Sequence, residues 1–292
     1  MNGPGMRGAS QGCPYETLHI YYFSGRVTPA GRELRDFIGT WEEDGFSFLF
    51  FSSPAEAQVH ALGRAFPGAR LLDSFHMTYE QWQGAPVVPL RVGRFHIRPP
   101  WAPAEANGSG AEPPILMDPG VVFGTGTHAT TRDCLEAVAC AVERGGCTSA
   151  LDLGTGTGLL ALAAVRCGCR RCLAVDLNAL AATTAWANVR LNRLEDRILV
   201  IRGRAEAVID TPADLLIANI HYDIMRQLVQ ASGFLKKRWF VLSGLMRSEA
   251  KTVRDTLNTL PVRILREWSG DGVWHTVLGV TDGADESNAR TP

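Results

Sequence analysis

Two stretches of this chain carry residues whose types and spacing can do chemistry. The first, Leu151-Asp152-Leu153-Gly154-Thr155-Gly156-Thr157-Gly158, closes a short apolar run and opens a helical one. Glycines at such a junction let the backbone approach a ligand closely and tolerate positive φ. The helix that follows presents unpaired N–H groups. Asp176 ends the next apolar run, eighteen residues after Gly158, where a carboxylate can accept from ribose hydroxyls. Together these features point to an adenine nucleoside at the switch point of a doubly wound sheet, and they leave the cofactor unnamed.

A nicotinamide reading also fits the letters, since Gly156, Gly158 and Ala161 satisfy G-x-G-x-x-A. Three observations weigh against it. Asp152 stands two residues before the first glycine, where a carboxylate facing the ligand suits a cationic, amine-bearing cofactor and repels a pyrophosphate. The sequence after the last strand leaves no room for a second nucleotide-binding half. A second polar motif also lies just upstream. S-adenosylmethionine is therefore the expected cofactor, and methyl transfer the expected chemistry.

That second motif is Asp118-Pro119-Gly120-Val121-Val122-Phe123-Gly124-Thr125-Gly126-Thr127-His128-Ala129-Thr130-Thr131. Threonines alternating with glycines offer hydroxyls and free N–H groups at the start of a helix. An N-cap alone would need only one threonine, and this stretch has four and a histidine.

Here the sequence resembles the methyltransferases that modify large-subunit ribosomal protein L11. Met117–Thr131 is similar to the stretch that opens the catalytic domain of that family, Leu151–Gly158 and Asp176 to its glycine motif and ribose acid, and Ile217-Ala218-Asn219-Ile220 to its Val-Ala-Asn-Ile. The resemblance covers roughly Ile115 to Val280. It implies a small N-terminal substrate-recognition domain joined by a linker to a Rossmann-like catalytic domain. It implies cofactor ligands at Thr131, Gly154, Asp176 and Asn219, with Thr127 and Gly156 close by, a protein substrate, and a cytoplasmic enzyme. His221-Tyr222-Asp223, where the family usually continues with small or apolar residues, is similar instead to lysine methyltransferases of the electron transfer flavoprotein beta subunit. Asn219 and Tyr222 are the residues expected to position an acceptor amine; the other reading packs Tyr222 under the next helix.

The elements that must position these residues can be read along the chain. Residues 1–14 are expected to be disordered and residues 15–97 to form a small α+β domain. Its strands are expected at Leu18–Phe23, Phe46–Phe51, Arg70–His76 and Val87–Phe95, and its helices at Pro29–Ile38 and Pro54–Arg64. Residues 98–114, with Pro-Pro-Trp and Ala-Asn-Gly-Ser-Gly-Ala-Glu-Pro-Pro, have linker chemistry. From 115 to 281 short apolar strands alternate with amphipathic helices, which predicts an α/β domain with a doubly wound, mostly parallel sheet covered on both faces. Val262–Trp268 and Trp274–Val280 predict a final antiparallel pair. Residues 282–292 form a polar tail.

Composition narrows the function class. The chain has 292 residues, 46% of them hydrophobic, enough for a sizeable core. Its 29 Lys and Arg against 30 Asp and Glu give a net charge of -1, so bulk electrostatics suggest neither direct nucleic-acid binding nor a membrane surface. Seven cysteines, mostly inside apparent helices and strands, read as reduced thiols. Cys167, Cys169 and Cys172 lack a fourth partner nearby and favour a structural role over a metal. His128 fits a loop hydrogen bond better than a base. The alternative from another class is a non-catalytic cofactor-binding module that docks on ribosomes, and intact Gly154, Gly156, Asp176 and Asn219 speak against it.

Overall fold

Tyr21 and Phe23 point to one side of β1 (Thr17–Ser24), and Leu18 and Ile20 to the other. This two-residue period gives the strand two apolar faces. Around it an antiparallel sheet forms in the order β2-β3-β1-β4, with β2 (Phe37–Glu43), β3 (Phe46–Phe51) and β4 (Arg70–Thr78). α1 (Glu56–Ala65) sets Val59 and Leu62 against Tyr21, Phe23, Leu49 and Phe51. On the opposite face Leu18, Ile20 and Phe50 pack with Val121 and with Tyr79, which opens α2 (Tyr79–Gln83). The coordinates, a computed structural model, describe residues 12–29, 31–103, 112–270 and 272–282. Most of the expected N-terminal disorder, the middle of the linker and nearly all of the polar tail lie outside the described residues.

Two expectations for this half need correction. No helix forms among the described residues of Pro29–Ile38. Asp36 takes a left-handed φ of 58°, which breaks a helix, and from Phe37 the chain pairs with β3. The strand expected over Val87–Phe95 is instead a hairpin of β5 (Leu90–Val92) and β6 (Phe95–Arg98), to which β7 (Ile115–Leu116) adds in parallel. Val92, Phe95 and Ile97 join the core of the large sheet, not that of the four-stranded one.

The rest of the chain alternates. α3 (Ala129–Glu143) precedes β8 (Ser149–Leu153), then α4 (Leu159–Cys167), β9 (Arg171–Asp176), α5 (Ala179–Leu191), β10 (Ile198–Arg202), α6 (Ala205–Val208) and β11 (Leu215–Asn219). α7 (Tyr222–Gln230), β12 (Trp239–Met246), α8 (Arg247–Leu257), β13 (Val262–Trp268) and β14 (Trp274–Thr281) complete it. The seven strands lie in the order β10-β9-β8-β11-β12-β14-β13. All neighbours run parallel except β14, which inserts antiparallel between β12 and β13. This is the expected doubly wound sheet with an antiparallel end, preceded by a smaller sheet. Helices cover both faces: α3 and α4 contribute to one core with Ala150, Ala174 and Ile217, and α7 and α8 to the other with Leu151, Leu153, Val175 and Ala218.

The topology fixes the site. Connections leave β8 toward β9 on one side and reach β11 on the other, so the crevice outside the carboxyl ends of β8 and β11 is the switch point. Side-chain alternation does the rest. Ala150, Ala174 and Ile217 face the α3 and α4 core, so Asp152, Asp176 and Asn219, each two residues further on, turn to that same face.

Candidate functional site

The glycine-rich turn leaves β8 and folds back over β9. Gly154 and Thr155 donate to the Val175 carbonyl at 2.8 and 3.0 Å, and Gly156 N donates to Asp176 Oδ2 at 3.0 Å. Gly154 has φ of +70°, and a Cβ there would stand 2.2 Å from Ile220 Cγ2. A Cβ on Gly156 would stand 2.6 Å from the Phe123 carbonyl oxygen. Neither position accepts a side chain.

The upstream motif folds onto this turn. Thr157 donates through its amide to Phe123 O at 3.2 Å and through its hydroxyl to Gly124 O at 2.7 Å. Thr125 and Thr127 share a hydroxyl–hydroxyl bond of 2.7 Å. His128 caps α3, its Nδ1 accepting from Thr130 N at 3.3 Å. Asn219 ends β11 and donates through Nδ2 to Thr130 Oγ1 at 3.2 Å, tying the first motif to the last. Thr127, Thr131, Asp152, Gly154, Gly156, Asp176 and Asn219 therefore belong to segments that meet at one edge of the sheet.

The two aspartates differ in surroundings. Asp176 accepts from Gly156 N and Asn178 N, one bond on each oxygen, so each retains a lone pair. Burial pushes its pKa up while these two amides pull it down. Asp152 is almost fully buried, and burial pushes it up to about 7 against the pull of Thr155 and Ala161. Its Oδ2 accepts from Thr155 Oγ1 at 2.6 Å and from Ala161 N at 3.1 Å, clamping the turn to the start of α4. That oxygen faces the protein, whereas the sequence suggests a carboxylate facing the ligand.

Asp152 Oδ1 and Thr131 Oγ1 are buried and have no hydrogen-bond partner in the protein. Buried polar atoms are seldom left so. Thr131 lies in the first turn of α3, which packs on the sheet face that Asp152 shares, so the two oxygens are on the same side of the sheet. Unsatisfied acceptors and glycines that cannot carry a Cβ fit a group bearing an amine and hydroxyls, as S-adenosylmethionine does.

Tyr222 opens α7, half-buried against the core under that helix, with the Arg226 guanidinium 6.0 Å from its ring centre. The structure gives it packing partners, and His221 beside it is exposed. Cys169 and Cys172 are buried thiols, and burial pushes Cys169 up to about 12. Sequence reasoning missed two residues at the edge. Thr130 stood beside the chosen Thr131, and helical phase could have told them apart. Gly244, in the irregular stretch of β12, lies against Asn219 and Ile220; its only signal was a glycine inside an apolar strand.

Comparison with known proteins meets this geometry. The family model described as ribosomal protein L11 methyltransferase (PrmA) matches residues 77–280. The chain belongs to that family. A ribosomal protein L11 methyltransferase of Clostridium perfringens is 34% identical over 193 residues, 65% of this chain and 60% of the relative. One from Desulfitobacterium hafniense is 36% identical over 187 residues, 63% of this chain and 58% of the relative. The match thus spans about three fifths of these L11 methyltransferases. The crystal structure of the ribosomal protein L11 methylase of Lactobacillus delbrueckii subsp. bulgaricus superposes with a TM-score of 0.57 at 23% identity. It covers 66% of this chain and 98% of that one, a likeness of fold.

Proposed function

We propose that this member of the L11 methyltransferase family transfers methyl groups from S-adenosylmethionine to amino groups of a protein, with ribosomal protein L11 as its acceptor, in the cytoplasm. The observation that carries the reading is the convergence of the glycine-rich turn, Asp176 and Asn219 at the switch point, beside two buried oxygens that lack partners. Thr131, Gly154, Asp176 and Asn219 would hold the cofactor, with Thr127, Gly156 and Asp152 supporting them. Bound there, S-adenosylmethionine supplies an electrophilic methyl on a sulfonium.

The protein's part is alignment and proton control. Asp176, with a lone pair free on each oxygen, accepts hydroxyl hydrogens. The Asn219 side-chain oxygen and the Ile220 carbonyl accept from the N–H groups of an amine and so direct its lone pair outward. Holding two reactants in register accounts for much of such a rate enhancement. An amine with a lysine's ordinary pKa of about 10.4 is mostly charged at neutral pH, and desolvation at the crevice favours its neutral, nucleophilic form. The four-stranded sheet and its helices serve as the face that receives the acceptor protein.

The test is direct. Methyl-labelled S-adenosylmethionine is incubated with the enzyme and either purified ribosomal protein L11 or the electron transfer flavoprotein beta subunit, and the labelled residue is mapped. Label on L11 amino groups is expected. Label only on the flavoprotein subunit would replace the acceptor, and a protein that binds no S-adenosylmethionine by calorimetry would end the reading.

A further inference from the structure

We propose that His128 and Thr130 are positioning residues that lock the side-chain amide of Asn219 in one orientation, its oxygen turned toward the acceptor. The role of that oxygen rests on the methyl-transfer reading above; the lock itself does not. It follows from counting hydrogens. Thr130 N donates to His128 Nδ1 at 3.3 Å, so that nitrogen carries a lone pair and no proton. In the tautomer this amide selects, with Nδ1 bare, the Thr130 hydroxyl 2.8 Å away directs its hydrogen to the same nitrogen, the two donors sharing its one lone pair in a three-centre bond. Its single hydrogen is then spent, and Thr130 Oγ1 has only lone pairs for Asn219, 3.2 Å away. Asn219 must answer with its NH2.

The other end of the amide is therefore also decided. Asn219 Oδ1 turns away from α3 toward Gly244. A Cβ on Gly244 would lie 3.1 Å from Asn219 Oδ1 and 2.8 Å from the Ile220 carbonyl oxygen. Both acceptors thus border the space that the missing side chain of Gly244 leaves, and Gly244 holds a φ of +81° there. Two oxygens side by side suit an amine that offers N–H groups. A flipped amide would put an NH2 in place of one of them and repel that ligand. Thr130 is almost fully buried, so water does not compete for its hydroxyl.

The lock is tested first without catalysis. Nitrogen NMR of imidazole-labelled protein, with the His128 signal identified by its loss in His128→Asn, should show protonated Nε2 and bare Nδ1. The opposite tautomer would overturn the proposal. In methyl transfer from S-adenosylmethionine to L11, Thr130→Val should lower kcat about 10- to 100-fold, the scale of a misaligned reactant. Cofactor Kd should hold within about twofold, and Thr130→Ser should restore the rate, because it keeps the hydroxyl. In an Asn219→Ala background Thr130→Val should cost nothing more, since its effect runs through that amide. A Thr130→Val enzyme as fast as wild type, or an equal loss in both backgrounds, would refute the lock. If the wild type leaves L11 unlabelled, the acceptor reading fails by itself and the tautomer still decides the lock.

Discussion

β8 and β4 are both strands of sheets flanked by helices, and they could hardly be buried more differently. β8 buries all five of its residues; β4, nine residues long, buries none. β8 lies inside a sheet covered on both faces, between β9 and β11, and the turn after it forms part of the candidate site. β4 is an edge strand that leaves Leu72 and Phe75 at 45% and 42% exposure. The family match begins at residue 77, so the part shared with the L11 methyltransferases is the part where geometry is tight. Close packing there fixes Gly154, Asp176 and Asn219 against their neighbours, whereas the small sheet leaves apolar side chains of β4 exposed.

The comparison breaks if substitutions in the two regions have similar effects. Gly154→Ala forces a Cβ to 2.2 Å from Ile220 Cγ2 at a φ of +70°. We expect a loss of about 2–4 kcal/mol in unfolding free energy from strain and overpacking, and no measurable S-adenosylmethionine binding by calorimetry. Phe75→Ser should change stability by less than about 0.5 kcal/mol and leave cofactor affinity intact.

The buried carboxylate at the root of the turn should make the first region sensitive to pH. Burial holds Asp152 at about 7 in the folded protein against an ordinary value of 3.8. Between these values the folded state binds the extra proton, so stability falls as pH rises from about 4 to about 7 and levels off above. The decline from this one group is on the order of a few kcal/mol. Urea unfolding of wild type and Asp152→Asn across that range checks it, with a flatter profile expected for the variant. Identical slopes would mean that Asp152 stays charged.

Substitution of Asp176 is expected to affect the ligand more than the fold. Asp176→Ala removes an acceptor that Gly156 and Asn178 also use. We expect S-adenosylmethionine binding to weaken by about 1.5–3 kcal/mol, the scale of hydrogen bonds to a charged group. Unchanged affinity in a folded variant would remove Asp176 from the ribose.

The same contrast explains what could be read from the sequence. Strands buried on both faces are continuous apolar runs, so β8, β9, β11 and β12 and the helices between them stood out, and Asp152, Asp176 and Asn219 could be set at strand ends. In the small sheet β2 was missed because Arg32-Glu-Leu-Arg has helical composition, while hairpin pairing with β3 across Asp44-Gly45 overrides that preference from Phe37. Asp152 illustrates another limit. Spacing put it beside the ligand, yet which way its oxygens turn depends on Thr155 and Ala161, the latter nine residues on and brought close only when α4 forms. Gly244 belongs to a strand whose neighbour in the sheet is β11, and no local pattern connects it with Asn219.

Within the large-sheet region the smallest expected effect on catalysis belongs to Tyr222, which packs on the core beneath α7. It follows Asn219 by three residues, close enough in sequence to wall an acceptor channel. Its ring, however, is half-buried against the core beneath α7, with Arg226 stacked 6.0 Å from its centre. Cutting it to alanine removes that packing and the cation–π contact, which together should cost about 1–2 kcal/mol of stability. If packing is the whole of its role, Tyr222→Ala lowers the midpoint of thermal unfolding and leaves kcat and the cofactor Kd at wild-type values. If the ring also meets the acceptor, kcat falls while Kd holds, because the loss is confined to alignment in the transition state. Thermal unfolding, cofactor titration and single-turnover transfer to L11 on one preparation separate the cases, and the packing role predicts that only the first of them moves.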